Sequence, residues 1–77
     1  MRDRIKLNPG EKLKLESSRR TGTMDESDID TYSIINQAGE VVGSVVHTDH
    51  TALRGFKRTQ TVIQKDETGN IVVEEQW

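Results

Sequence analysis

The chain of 77 residues has no cysteine, a single proline and only three aromatic residues, and hydrophobic residues make up 31% of it. Each shortage excludes something. Without cysteine there is neither a disulfide framework nor a thiolate zinc site. So few apolar side chains imply a thin core, because a domain of this size buries only about 60% of the surface its unfolded chain exposes. Small scaffolds of this kind gain burial by oligomerising or by binding a partner, which makes a homodimer one expected state. Nowhere do eighteen apolar residues follow one another, and the opening MRDRIKLNPGEKLKL lacks the apolar run of a signal peptide. A soluble, cytoplasmic protein with no membrane association is expected.

The motifs that announce chemistry are also missing. There is no glycine-x4-glycine-lysine phosphate loop and no Gly-x-Ser-x-Gly nucleophile elbow. No catalytic constellation, cofactor or resident metal is expected, and the chain reads as a non-enzyme.

What is present is a β pattern. Seven Val, six Ile and eight Thr stand against four Leu and two Ala, the residue preference of strands. Alternation of period two recurs, whereas no window holds an i, i+3, i+4, i+7 apolar stripe. Two segments read as hairpins: TYSIINQAGEVVGSVV, with strands at 31–36 and 41–46, and RTQTVIQKDETGNIVVEEQW, with strands at 58–65 and 71–77. Their turns, Asn36-Gln37-Ala38-Gly39 and Asp66-Glu67-Thr68-Gly69, share the form Asx-x-x-Gly. The Asx side chain there accepts the N–H two residues on, and Gly supplies the positive φ of a type I turn closed by a one-residue bulge. Strict alternation puts Val41, Val45 and His47 on one face and Val42 and Val46 on the other, a strand apolar on both sides. Toward the N-terminus, Ile5 and Leu7, then Leu13 and Leu15, alternate with charged residues on either side of Asn8-Pro9-Gly10-Glu11, whose Pro and Gly suit a type II turn. Lysines on such an edge strand discourage pairing with strangers. Residues 17–29 are polar and aperiodic, and are expected to form a mobile polar and acidic loop.

Charge is segregated. The formal net charge is −2, yet residues 1–20 come to +4, 21–40 to −5, 41–60 to +2 and 61–77 to −3. Such alternation suits two differently charged surfaces better than a uniform nucleic-acid footprint.

Three clusters are candidate sites. The first is VHTDHT, which holds both histidines. On an extended chain His47 and Asp49 point one way and His50 the other, so a strand cannot aim all three at one ion. A solvated connection between hairpins is the plainer reading, with His47 closing the strand, Asp49-His50 starting a crossover and one short helical turn over 49–55. The second is the acidic run Asp25, Glu26, Asp28 and Asp30. It lacks the glycine and glutamate of a calcium loop, and is either solvated or turned toward a basic surface on a partner. The third is Arg54-Gly55-Phe56-Lys57-Arg58, cations around an aromatic that could grip phosphate and stack a base. Trp77 is expected to anchor the last strand in the core.

The chain therefore reads as one small, mainly β domain over residues 1–77. Its architecture is a twisted antiparallel sheet of about four or five strands, made of two hairpins plus an N-terminal strand and curling toward a partial barrel. Its expected function is non-enzymatic protein binding of the inhibitor or immunity type, with Asp25, Glu26, Asp28, Asp30, Arg54, Lys57 and Arg58 meeting a partner protein that carries a basic surface. The alternative is a small nucleic-acid-binding β domain using Arg54, Phe56, Lys57 and Arg58.

Overall fold

In the computed structural model, which describes residues 4–21, 26–51 and 58–77, both Asx-x-x-Gly segments are hairpin turns. The Gly39 N–H donates to the Asn36 carbonyl at 3.0 Å with φ 83° at Gly39. The Asn36 side-chain oxygen accepts the Ala38 and Glu40 N–H groups at 2.9 and 3.0 Å. Asp66 repeats this arrangement: Gly69 sits at φ 91° and donates to the Asp66 carbonyl at 3.1 Å, and Asp66 Oδ1 accepts the Thr68 and Asn70 N–H groups at 2.9 Å each. An L side chain at either glycine would cost about 1–2 kcal/mol of backbone strain. The Asn8–Glu11 bend is likewise a turn, with the Glu11 N–H on the Asn8 carbonyl at 3.0 Å and φ 84° at Gly10.

The turns join β2 (Glu26–Ile35) to β3 (Val41–Thr51) and β4 (Arg58–Asp66) to β5 (Ile71–Gln76); with β1 (Lys12–Thr21) these make one open antiparallel sheet in the order β1-β2-β3-β4-β5. The sheet is mainly β as expected, and it is an open meander. Residues 17–21 and 26–29, expected in a loop, are instead paired across β1 and β2 from Ser17↔Thr31 to Thr21↔Ser27. Strand β3 also runs past His47 through Thr51, so Asp49 and His50 lie in the ladder where a crossover was expected. The rest of the expected helical turn, 52–55, lies outside the described residues.

Both hairpins carry the same irregularity. Ile34 pairs with Gly43 and Ile35 with Val41, leaving Val42 as an extra residue; Gln64 pairs with Val73 and Lys65 with Ile71, leaving Val72. The bulge overturns simple alternation at this point: Val42 packs on the core while Val41 is turned out and 62% exposed. Gly43 belongs to the same bulge. A Cβ there would stand 2.7 Å from the Lys65 carbonyl oxygen, so two backbones approach where only glycine fits.

One face of the sheet, called here the core face, holds buried Ile34, Val45 and Val62, and Ile5 lies on them from the N-terminal segment. Leu13, Tyr32, Val42, Val73 and Trp77 pack around this cluster. The N-terminal segment is held by a side chain. Gln64, 5% exposed, accepts the Lys6 N–H at 2.8 Å and donates to the Lys6 carbonyl at 2.7 Å. Its amide thus pairs with Lys6 much as a neighbouring strand would. At the other end Trp77 exchanges backbone hydrogen bonds with Gln60 at 2.9 and 2.8 Å, and its ring joins the core as expected of an anchor.

Replacing Gln64 with Ala removes both bonds and strands the Lys6 N–H and carbonyl at the core margin. The expected loss is about 2–3 kcal/mol in urea unfolding, since each unsatisfied group costs about 1–3 kcal/mol. The Lys6 amide should also lose its protection against hydrogen exchange. Unchanged protection would show that the segment is held by something else.

Candidate functional site

Away from the hairpin turns the core face changes character. The apolar positions give way to Asp28 and Asp30 on β2, His47 and Asp49 on β3, and Gln60 and Arg58 on β4. These are the positions that continue the face of Ile34, Val45 and Val62 at a spacing of two. Strand β1 adds Ser18 and Arg20, brought onto this face by a register shift between Leu15 and Ser17.

Register creates a like-charge contact here and also relieves it. Asp28 stands directly opposite Asp49, an arrangement that is destabilising by itself. Each carboxylate has an arginine on its outer side. Arg20 Nε donates to Asp28 Oδ1 at 2.9 Å. Arg58 grips Asp49 through Nε, at 2.9 and 3.0 Å from the two oxygens, and through Nη2. Across four strands the charges read plus, minus, minus, plus. Next to this row Ser18 Oγ donates to Asp30 Oδ1 at 2.6 Å.

The hydrogen bonds from Arg58 hold the Asp49 carboxyl below the usual carboxylate range; the charges of Arg58 and His47 act the same way and burial opposes them. The bond to Asp49 in turn raises the Arg58 guanidinium. Burial, with the Asp30 carboxylate as a lesser cause, raises the Tyr32 phenol. The arginine side chains are 70% and 61% exposed. Pairs as open as these add little to stability, so their importance lies in the pattern they present.

The acids and cations named from the sequence are thus brought together in part. Asp28, Asp30 and Arg58 share one end of one face, with Arg58 bound to Asp49. Glu26 opens β2, and its side chain, like Asp25, Arg54, Phe56 and Lys57, lies outside the described residues. Ser18 was not singled out by the sequence reading and Asp49 entered it only as part of VHTDHT; with Arg20 they complete the row. A signal for Asp49 existed: in Val46-His47-Thr48-Asp49, as in Ser27-Asp28-Ile29-Asp30-Thr31, ionisable and neutral residues alternate with the period of a strand.

The VHTDHT segment divides between the faces. His47 Nε2 lies 3.0 Å from Gln60 Oε1, and its ring stacks on Trp77 at 6.0 Å between centroids. The Arg4 guanidinium lies 4.1 Å from the centre of the same Trp77 ring and 3.5 Å from Glu75. His50 is on the opposite face, where Nδ1 and Ser27 Oγ share a hydrogen bond of 2.6 Å. Among the described residues no three His, Asp or Glu side chains are grouped to hold a metal ion. The Ser27–His50 pair has the two groups of a nucleophile and base. The third, an acid orienting the histidine, is not supplied by Asp28, Asp30 or Asp49, which lie across the sheet.

Comparisons of the chain with protein-family models, with curated proteins and with solved structures find no match. Among the described residues no helix is long and apolar enough to cross a membrane.

Because the folded-state pKa of Asp49 is depressed, its contribution to stability is present above the unfolded carboxylate value of about 3.9 and is lost as pH falls through the lower folded value. Replacing Arg58 with Gln should therefore raise the Asp49 pKa toward its ordinary value in a carboxyl-resolved NMR titration. It should also shrink the loss of stability between neutral and strongly acidic pH. An Asp49 titration that does not move would show the guanidinium is not its partner in solution.

Proposed function

We propose that the protein is a non-enzymatic binding module for another protein, of the inhibitor or immunity type. The charge row Arg20–Asp28–Asp49–Arg58, with Asp30 beside it, is its recognition surface. The single observation that carries this reading is that three carboxylates and two guanidinium groups are set on four adjacent strands and held in place before any partner arrives, Asp28 by Arg20, Asp49 by Arg58 and Asp30 by Ser18. Fixed charges on a rigid sheet lose little freedom on binding, and they select a partner by complementarity more than by raw attraction.

The two central positions of the row are acidic, so the matching surface offers cations at its centre, in keeping with a partner that is basic there. The outer arginines are the more exposed members of their pairs, so their guanidinium groups border the acidic centre of the row. The nucleic-acid alternative draws less support. The Arg58 guanidinium it would use is bound to Asp49.

With the partner isolated from the native host, the double variant D28N/D30N should weaken the complex at least tenfold, about 1.4 kcal/mol. Raising the salt concentration should slow association of the wild type more than of the variant. Equal affinity of the two proteins in a titration would remove the acidic row from the interface. A salt-sensitive affinity for single-stranded nucleic acid that falls with R58E would favour the alternative.

A further inference from the structure

The opposite side of the sheet, its open face, obeys a different rule. From Ser27 to Thr31 on β2, Val46 to His50 on β3 and Thr59 to Ile63 on β4, the side chains on this face include no Asp, Glu, Lys or Arg, and Lys65 stands in the next row, opposite Ser44. The same spans carry Asp28, Asp30 and Asp49 on the core face. In a chain with 31% charged residues, a face facing only water has no reason to exclude them. Depletion of charge at the centre of a surface is the mark of an interface.

We infer that the open face packs against the open face of a second copy, giving a two-layer sandwich whose twofold axis runs parallel to the strands along β3. The pattern of side chains fits its own image under that axis. Register places Thr31, Val46 and Ile63 in one row and Ile29, Thr48 and Thr61 in the next. An axis along β3 exchanges β2 with β4 and keeps each row at its own level. Ile63 then falls over Thr31 of the second copy and Ile29 over its Thr61, a large residue over a small one each time. Val46 and Thr48 meet their own equivalents at the axis. Alternating large and small side chains is how facing sheets interdigitate at about 10 Å.

The same operation exchanges the edges. On the open face β1 carries Arg19, with Lys12 and Lys14 beyond it and Glu16 3.9 Å from the Lys14 ammonium, while β5 carries Glu74, one row from the level of Arg19. The axis lays the basic edge of each copy over the acidic edge of the other.

Sedimentation of the full chain should give 17.4 kDa, twice the 8.7 kDa of one chain. V46E, which sets two carboxylates against each other at the axis, should give single chains that keep their β circular dichroism. Because that variant could lose its fold, the exposed edges supply a second test. R19E and E74R should each weaken the dimer at least tenfold, and R19E/E74R should restore it. Arg19 and Glu74 lie four strand spacings apart within one chain, about 19 Å, so restoration can arise only between copies. A single chain at millimolar concentration overturns the proposal, as does a dimer indifferent to V46E or a double reversal that fails to restore. D28N/D30N alters the other face and should leave the mass at 17.4 kDa, which separates failure of this dimer from failure of the recognition surface.

Discussion

The pairing of the Gln64 side chain with the Lys6 backbone is the contact on which the rest of the structure depends. A single sheet has no second layer of its own, and the buried cluster of Ile34, Val45 and Val62 would lie open without a cover. Ile5 is that cover. It stays in place because Gln64 both accepts from and donates to Lys6. An amide suits the position, since Leu would leave the Lys6 polar groups unpaired and a carboxylate could only accept. Among the described residues no buried side-chain nitrogen or oxygen lacks a partner, so the polar side chain in the core is fully satisfied.

The cover also divides the core face. It extends over the end nearest the hairpin turns, where Gly43 lets the bulged strand come close to Lys65. The far half, where β1 meets β2 and β3 meets β4 through the two other connections, holds the charge row. There the ladder is decorated with Arg20–Asp28, Ser18–Asp30 and Arg58–Asp49 contacts instead of methyl groups. Backbone pairing carries the strands through that half, and the side chains are left to present a pattern outward. Trp77 stands at the boundary. Its ring joins the apolar cluster and also meets His47 and Arg4.

Legibility in the sequence followed the range of the interaction. The two hairpin turns could be read directly, because Asn36, Asp66 and the glycines three residues on act within five residues. The role of Trp77 followed from size and apolarity. The bulges at Val42 and Val72 could not be read, since an extra residue is defined only against the partner strand. Nor could strand 17–21 or 26–29, because hydrophobic alternation was the criterion, and 26–29 alternates in charge while 17–21 does not alternate at all. Arg20 and Asp28 explain each other only once register sets them opposite. The same blindness made Asp49 look like part of a connection, when it is the acceptor for Arg58. Of the named acids and cations, Asp28 and Asp30 stood in one cluster of the sequence and Arg58 in another, and the face that collects them was not foreseeable.

The sorting of charge between faces ties the two proposed surfaces together. An axis parallel to the strands leaves both core faces outward and keeps both charge rows at the same end of the sandwich. The two rows lie on opposite outer faces of the sandwich, so one dimer offers a row to each of two partners. An axis perpendicular to the strands would send the rows to opposite ends and lay β1 over β1, with Arg19 of each copy near the other. Electrostatics disfavours that alternative at the edge, and the large-over-small rows disfavour it at the centre. The arrangement that best buries the open face is therefore also the one that sets both charge rows at one end of the sandwich, on its two outer faces.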